Sequence, residues 1–362
     1  MVTLTTAAAE PRAGVRVDYA ELLDFTAAVF AAHGVPRERA RAAARTLCHG
    51  DVAGMESHGL ANLTRLYLPL LAEGRVDPRA EHRVVDDRGA LVLVDAGRAL
   101  GLWSAGAAMD LAADRAEEHG IGMVSVRGAT HFGCAGPHAL RAVERGMVGV
   151  VAANCGGQRI ARPPGGAAPM LGTNPLSVAA PAGPHPPFVL DMSTTAAPTG
   201  RIRQAARDGR TVPEGLLADD AGRPVTDPAR FDAGRAHLLW LGGRPGQHKG
   251  FGLGVAVEVL AALVAGAALG PPGGGRDDDI GFAAVAVAPG RARFAADAGA
   301  LFGALLDCPP VDPAAPVRYP GWYEHERARE RMRDGVPLGG GLYRELYEVA
   351  VRTGVAVPEV RR

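Results

Sequence analysis

The sequence lacks most of the features that assign a chain quickly, and each absence excludes something. No apolar run reaches the roughly 20 residues needed to cross a bilayer, although 47% of the 362 residues are hydrophobic. Neither sign of charge dominates. Lys+Arg and Asp+Glu both number 39, so there is no basic footprint for nucleic acid or an anionic membrane. Cysteine is scarce: Cys48, Cys134, Cys155 and Cys308 are scattered with no CxxC pair, the pattern of free thiols in a reducing compartment. Residues 1–16 lack the basic-then-apolar order of a signal peptide and read as a flexible tail. The expectation is a cytoplasmic protein that binds neither nucleic acid nor membrane.

Familiar catalytic and nucleotide signatures are missing too. Gly250, Gly252 and Gly254 fall inside a predicted helix rather than between a strand and a helix, so a Rossmann fingerprint is unsupported. The Gly-rich run before Arg276 lacks the Lys-Ser/Thr of a phosphate-binding loop. There is no HExxH and no paired Cys/His set, and the run from Trp322 to Glu326 reads as a solvated helix start, so no metal is expected. Gly54-Met55-Glu56-Ser57-His58-Gly59 is not a GxSxG elbow, and an adjacent Ser and His are not expected to hydrogen-bond as a triad pair.

What is present begins with helices. Apolar spacing predicts them over Asp18–His33 and Pro36–His49, with a third running from an N-capping Ser57 to Gly74. From Val84 the texture alternates. Strands are expected over Ala90–Val94, Ile121–Val126, Met147–Ala153, Leu176–Ala180, Phe188–Leu190 and Ile280–Val287. Helices are expected over Leu100–His119, Pro137–Arg145, Phe251–Ala268 (buried on most faces) and Phe294–Leu306. Ala206–Ala236 is dense in turn signals and reads as loop, and a charged helix pair closes the chain. The fold class is α+β or mixed α/β: a helical domain over 17–85, joined by 320–362, beside a sheet domain over 86–319.

One constellation emerges from local geometry. Strand Ile121–Val126, helix Pro137–Arg145 and strand Met147–Ala153 have the lengths of a right-handed parallel crossover. His131 then follows one strand and Asn154 the next, both at the carboxyl edge where open α/β sheets bind ligands. A histidine there suits proton transfer near neutral pH; a purely structural His131 is the alternative. His58 lies in the first turn of the third helix, where the dipole disfavours the imidazolium, with Asn62 and Arg65 on the same face. A capping turn with solvated polar residues reads equally well. Asp191 closes an apolar strand, as a buried structural carboxylate or as a partner for a ribose. Lys249, flanked by Gly246 and Gly250, either reaches a phosphate or sits on the surface.

In their order these stretches resemble the malate/L-lactate dehydrogenase family, which lacks a Rossmann domain and includes ureidoglycolate, diketogulonate and sulfolactate dehydrogenases and a cyclic-imine reductase. The resemblance begins with Glu56-Ser57-His58-Gly59, Thr130-His131-Phe132-Gly133, Leu171-Gly172-Thr173-Asn174-Pro175 and Asp191-Met192-Ser193-Thr194-Thr195. It continues through Val212-Pro213 to Thr226-Asp227-Pro228, His248-Lys249-Gly250-Phe251-Gly252-Leu253, Tyr319-Pro320-Gly321 and Asp334-Gly335-Val336-Pro337-Leu338, spanning residues 17 to 345. It implies a non-Rossmann mixed sheet that binds a nicotinamide cofactor, NAD or NADP, and a homodimer with ligands often held between subunits. It implies that His131 is the general acid/base and that His58 and Ser57 line the active site. Cofactor contacts would fall on Gly172, Thr173, Asn174, Asp191, Met192, Ser193, Lys249, Gly250 and Gly321, the last near the adenosine half. Asn62, Arg65, Asn154 and Cys155 are the candidate substrate contacts.

The sequence departs from the family at three places. The family usually has Arg four residues after the His of Ser-His-Gly, where this chain has Asn62. The second Arg of the ureidoglycolate enzyme falls in a neighbourhood that here reads Asp277-Asp278-Asp279. A common acidic or amide residue after Pro320-Gly321 is Trp322. Carboxylates favour a bidentate guanidinium, for which Arg65 and Arg276 are the nearby substitutes. The expectation is therefore hydride transfer to or from a small 2-oxo/2-hydroxy acid or related carbonyl compound, with an atypical substrate. A cyclic-imine reductase and a repurposed, non-redox dimer of the same fold are the alternatives.

Overall fold

The computed structural model describes residues 14–270, 279–290 and 293–361. A short strand β1 (Val15–Val17) leads into helices α1 (Tyr19–Ala32) and α2 (Arg37–Val52), close to their expected bounds. The side chain of Asp18 caps α1 by accepting from Ala20 N–H at 2.8 Å.

The third helix departs from expectation. Ser57 does not cap it; Glu56–His58 is a separate 3₁₀ turn, Leu63–Tyr67 is a π-turn, and only α3 (Leu68–Ala72) is regular. A π-turn takes in one more residue than an α-turn, and here its last residue, Tyr67, is fully buried.

Next come β2 (Arg83–Asp87), β3 (Leu91–Asp95), α4 (Gly101–His119), β4 (Ile121–Ala129), α5 (Gly136–Val143), β5 (Val148–Ala153), β6 (Leu176–Ala182) and β7 (His185–Met192). Gly120 ends α4 in the left-handed region, φ 80°. After α6 (Thr199–Arg207), the stretch expected as loop, Ala206–Ala236, holds β8 (Leu217–Ala218), β9 (Pro224–Val225) and α7 (Ala229–Asp232), and β10 (His237–Leu238) follows it. These strands form a small antiparallel sheet, β10-β8-β9, beside a core of its own around Trp240 and Ile202. Two-residue strands are too short for alternation to register in sequence.

Helix α8 (Gly243–Glu258) begins at Gly243 rather than Phe251 and runs on through a π-turn, Val259–Leu263. It is not buried on most faces: Val255, Val259, Leu260, Leu263 and Val264 are 38–57% exposed. The chain closes with β11 (Ile280–Val287), α9 (Phe294–Leu306), α10 (Trp322–Asp334), β12 (Val336–Leu338) and α11 (Gly340–Thr353). Among the described residues no helix is long and apolar enough to cross a membrane.

The main sheet is mixed, in the order β2-β3-β4-β11-β5-β6-β7. Only β3 and β4 pair parallel. Strands β4 and β5 both run antiparallel to β11, which lies between them. They therefore point the same way, as the crossover reading requires, but are not neighbours, and their carboxyl ends share one edge. A continuous apolar cluster links α1, α2, α4 and the central strands to Leu346 and Val349 of α11, and β1 pairs with β12.

Candidate active site

His131 leaves the carboxyl end of β4 on a clamped backbone. The preceding Thr130 is buried; its Oγ1 donates to Ala99 O and accepts from Gly101 N–H, both at 3.0 Å. Gly101 is required there, because a Cβ would lie 2.1 Å from Thr130 O. Nδ1 of His131 faces two donors, the Tyr67 hydroxyl at 2.7 Å and Gly133 N–H at 3.2 Å. An amide N–H can only donate, so in this geometry Nδ1 accepts and the imidazole proton rests on Nε2. Among the described residues Nε2 has no partner. Burial, and then the neighbouring His58, push the His131 pKa down to about 3.

His58 lies nearly parallel to His131, with ring centroids 6.1 Å apart and planes 13° apart. Contrary to expectation, the adjacent Ser57 and His58 do hydrogen-bond, Oγ to Nδ1 at 3.0 Å, because the 3₁₀ turn folds one side chain back over the other. Burial lowers the His58 pKa as well. Asn62 donates from Nδ2 to Ser57 O at 3.0 Å. Below the turn, the buried Asp51 of α2 accepts Leu60 N–H at 2.6 Å, and burial raises its carboxyl to about 7. Arg331 of α10 ties the turn from outside, donating to Asp51 O and pairing with Glu56 at 3.1 Å. Helix α6 starts against Ser57, where Gly200 leaves no room for a Cβ.

The residues expected at the cofactor come from four segments. Thr194 donates from N–H and from Oγ1 to Thr173 O, each at 2.9 Å, joining the end of β7 to the Gly172–Asn174 loop. Asn174, held at φ 37°, donates from Nδ2 to Gly254 O of α8 at 3.0 Å and to Glu258 at 2.8 Å. Asp191 accepts Gly136 N–H at 2.6 Å at the start of α5, and burial raises its carboxyl to about 6. Met192 ends β7, and Ser193 Oγ donates to Thr195 O at 3.1 Å. Gly250 is buried in α8, while Lys249 lies within that helix rather than before it, exposed. Gly321 sits against Val189, one pleat from Asp191, and Val189 N–H donates to Pro320 O at 3.0 Å.

The substrate candidates fare differently. Asn154 is corrected to a strut. It is 1% exposed, its Nδ2 donates to Glu258 and Ala268 O, and its Oδ1 accepts Gly156 and Gly281 N–H, so nothing is left for a ligand. Arg65 points to Glu345 of α11, 3.2 Å away. Cys155 lies beside Thr173 at 3.4 Å, its thiol pushed up by burial. Arg276, Asp277 and Asp278 lie outside the described residues. Tyr67, Asp51 and Glu258 escaped the sequence reading. Tyr67 shares helical spacing with Leu63 and Leu70 and reads as core; Asp51 and Glu258 read as ordinary helix residues.

The profile of the malate/L-lactate dehydrogenase family matches residues 17–347. A malate dehydrogenase from Pyrococcus horikoshii is 36% identical over 255 residues, covering 70% of this chain and 69% of the relative. An L-sulfolactate dehydrogenase from Methanocaldococcus jannaschii is 30% identical over 335 residues, covering 90% and 94%. The crystal structure of an Entamoeba histolytica malate dehydrogenase superposes with a TM-score of 0.89 at 25% identity, over 96% of this chain and all of that one. A mixed sheet with His131 at its carboxyl edge, the ordered motifs around it and these relatives together make the chain an oxidoreductase of the malate/L-lactate dehydrogenase family.

Proposed function

We propose that the chain moves hydride between a nicotinamide cofactor, NAD or NADP, and a small 2-oxo/2-hydroxy acid or related carbonyl compound, with His131 as general acid/base. One observation carries this reading: His131 has Nδ1 engaged by Tyr67 and Gly133 and Nε2 without a partner among the described residues. The cofactor, when bound, supplies or accepts the hydride. Its candidate residues fit such a group. Asn174 Oδ1 and Trp322 Nε1 are buried polar atoms with no partner among the described residues, one an acceptor and one a donor. Lys249, the only lysine in the chain, is exposed and suits a phosphate.

As a carbonyl is reduced, negative charge grows on its oxygen, and the imidazolium form of His131 gives it the Nε2 proton and is left neutral, its remaining proton on Nδ1. In the oxidising direction His131 acts as the other neutral tautomer, with its proton on Nδ1 and donated to Tyr67, and takes the hydroxyl proton at Nε2 to become the imidazolium. A hydroxyl can donate or accept, so Tyr67 serves both forms. His58 and Ser57 line the same place, and the clamp at Thr130 fixes the height of His131 above the sheet edge. The same reading includes a homodimer, supported by the exposed apolar stripe of α8 and its π-turn.

Fluorescence titration with NADH and with NADPH, following energy transfer from the three tryptophans, tests the cofactor directly. Saturable micromolar binding of one is expected, and a flat response to both on folded protein would sink the redox reading. Replacing His131 by Ala should lower turnover by about 10²–10⁴ while leaving that binding in place.

A further inference from the structure

We propose that Arg318, seated on Trp322, selects NADP(H) over NAD(H) by taking the 2′-phosphate of the adenosine ribose; the inference rests on the nicotinamide reading of the site. Arg318 is half-buried, yet among the described residues it pairs with no carboxylate. Its one hydrogen bond runs from Nη1 to Val317 O at 2.9 Å, which leaves four of the five guanidinium N–H groups unused. By contrast, the half-buried Arg141 and Arg331 are paired with Asp110 and Glu56.

A packed platform holds this guanidinium. It lies over the Trp322 ring, 4.8 Å from the centroid, a contact that leaves the N–H groups at its edge available. Tyr319 meets Trp322 edge-on at 5.4 Å, and Phe302 backs Tyr319 at 4.7 Å. Tyr319 is itself buried, and its hydroxyl donates to Pro186 O at 2.5 Å. A guanidinium ordered before a ligand arrives loses less freedom on binding.

The same place is short of acceptors. Nε1 of Trp322 is buried without a partner among the described residues, so no acceptor stands within its reach. The nearest carboxylate in sequence, Glu324, forms no ion pair with Arg318; its charge bears on Asp191, adding to the rise that burial imposes there. The unphosphorylated cofactor presents a 2′-hydroxyl, whose proton calls for a carboxylate. A 2′-phosphate presents acceptors only, and a guanidinium takes it through two parallel bonds.

The platform also lies away from the reacting edge, as the far half of a dinucleotide requires. Pro320 O accepts Val189 N–H at 3.0 Å, and Gly321 packs against Val189. Two residues further along β7, Asp191 accepts the N–H of Gly136, five residues after His131. Strand β7 therefore leads from the Arg318 platform towards the catalytic loop.

The test is calorimetric titration with NADPH and NADH, and with adenosine 2′,5′-bisphosphate and 5′-AMP, at about pH 7.5, where a phosphate monoester is largely a dianion. NADPH should bind at least about ten-fold more tightly than NADH, the scale of one hydrogen bond to a charged group. The bisphosphate should exceed AMP in the same sense. Arg318→Gln should abolish both preferences and leave NADH affinity in place; Arg318→Lys, which keeps the charge without the fork, should retain a smaller one. Equal or tighter binding of NADH, or a preference unmoved by Arg318→Gln, would overturn the proposal and leave the redox reading standing. Equal weakening of both dinucleotides would also overturn it, placing Arg318 at the diphosphate they share. If the variants do not fold, the wild-type comparison decides alone: AMP binding as tightly as the bisphosphate would overturn the proposal. Binding of neither dinucleotide to folded wild type would sink the inference and the redox reading together.

Discussion

At the scale of single residues the site depends on keeping His131 neutral and aligned. Burial holds its pKa down at about 3, below the ordinary imidazole value, so the base form is present at every pH above that and is lost only as pH falls towards it. The profile of kcat/KM for oxidation should therefore be flat between pH 5 and 8, and an inflection near 6.5 would contradict the assignment. Tyr67 is the positioning partner; its hydroxyl lies 2.7 Å from Nδ1, and burial keeps the phenol protonated. Tyr67→Phe retains the ring beside Phe30 and removes only that bond. It should lower kcat by about ten- to a hundred-fold, with cofactor KM unchanged. A variant with normal kcat would leave Tyr67 a core residue, as its sequence spacing suggests.

At the scale of elements, Glu258 joins three segments that the chain order keeps far apart. Its carboxylate accepts from Asn154 at the end of β5, from Asn174 in the Gly172–Asn174 loop and from Gly270 N–H. Glu258→Leu would leave those donors facing apolar surface. The loss should be at least about 3 kcal/mol by urea unfolding, and a loss below about 1 kcal/mol would deny the carboxylate its role as hub. Such a tie is invisible in sequence, where Glu258 is one acid in an apolar helix. What the sequence did reveal was local: the apolar periods of α1 and α2, the Gly120 stop, and the β4–α5–β5 succession that brings His131 to the sheet edge. The insertion of β11 between β4 and β5 is a long-range pairing with no local signature. The 3₁₀ and π-turns around His58 and Tyr67 were hidden because their apolar spacing imitates a regular helix.

At the scale of the whole molecule, two features act together on how the protein behaves in solution. The stripe Val255, Val259, Leu260, Leu263 and Val264 follows helical spacing on one exposed face. If it is the dimer surface, Leu263→Asp should shift the sedimenting species from dimer to monomer, whereas an unchanged dimer would place the interface elsewhere. Stability should also depend on pH through groups spread across the fold. His49, His82, His138 and His237 are pushed down to about 4 by burial, and His131 to about 3. The unfolded chain binds these protons below about 6.5 and the folded chain does not, so each histidine withdraws stability as pH falls from 6.5 towards 4. Asp51 and Asp191 act in the opposite sense. Their carboxyls are raised to about 7 and about 6, so the folded chain holds protons that the unfolded chain has lost, and stability falls as pH rises above 3.8. Five histidines oppose two carboxyls over the shared window, so the net slope is positive: the melting temperature should climb from pH 4.5 to 6.5. A melting temperature that fell across that interval would mean that the buried carboxyls outweigh the histidines, and Asp51→Asn would then flatten the curve.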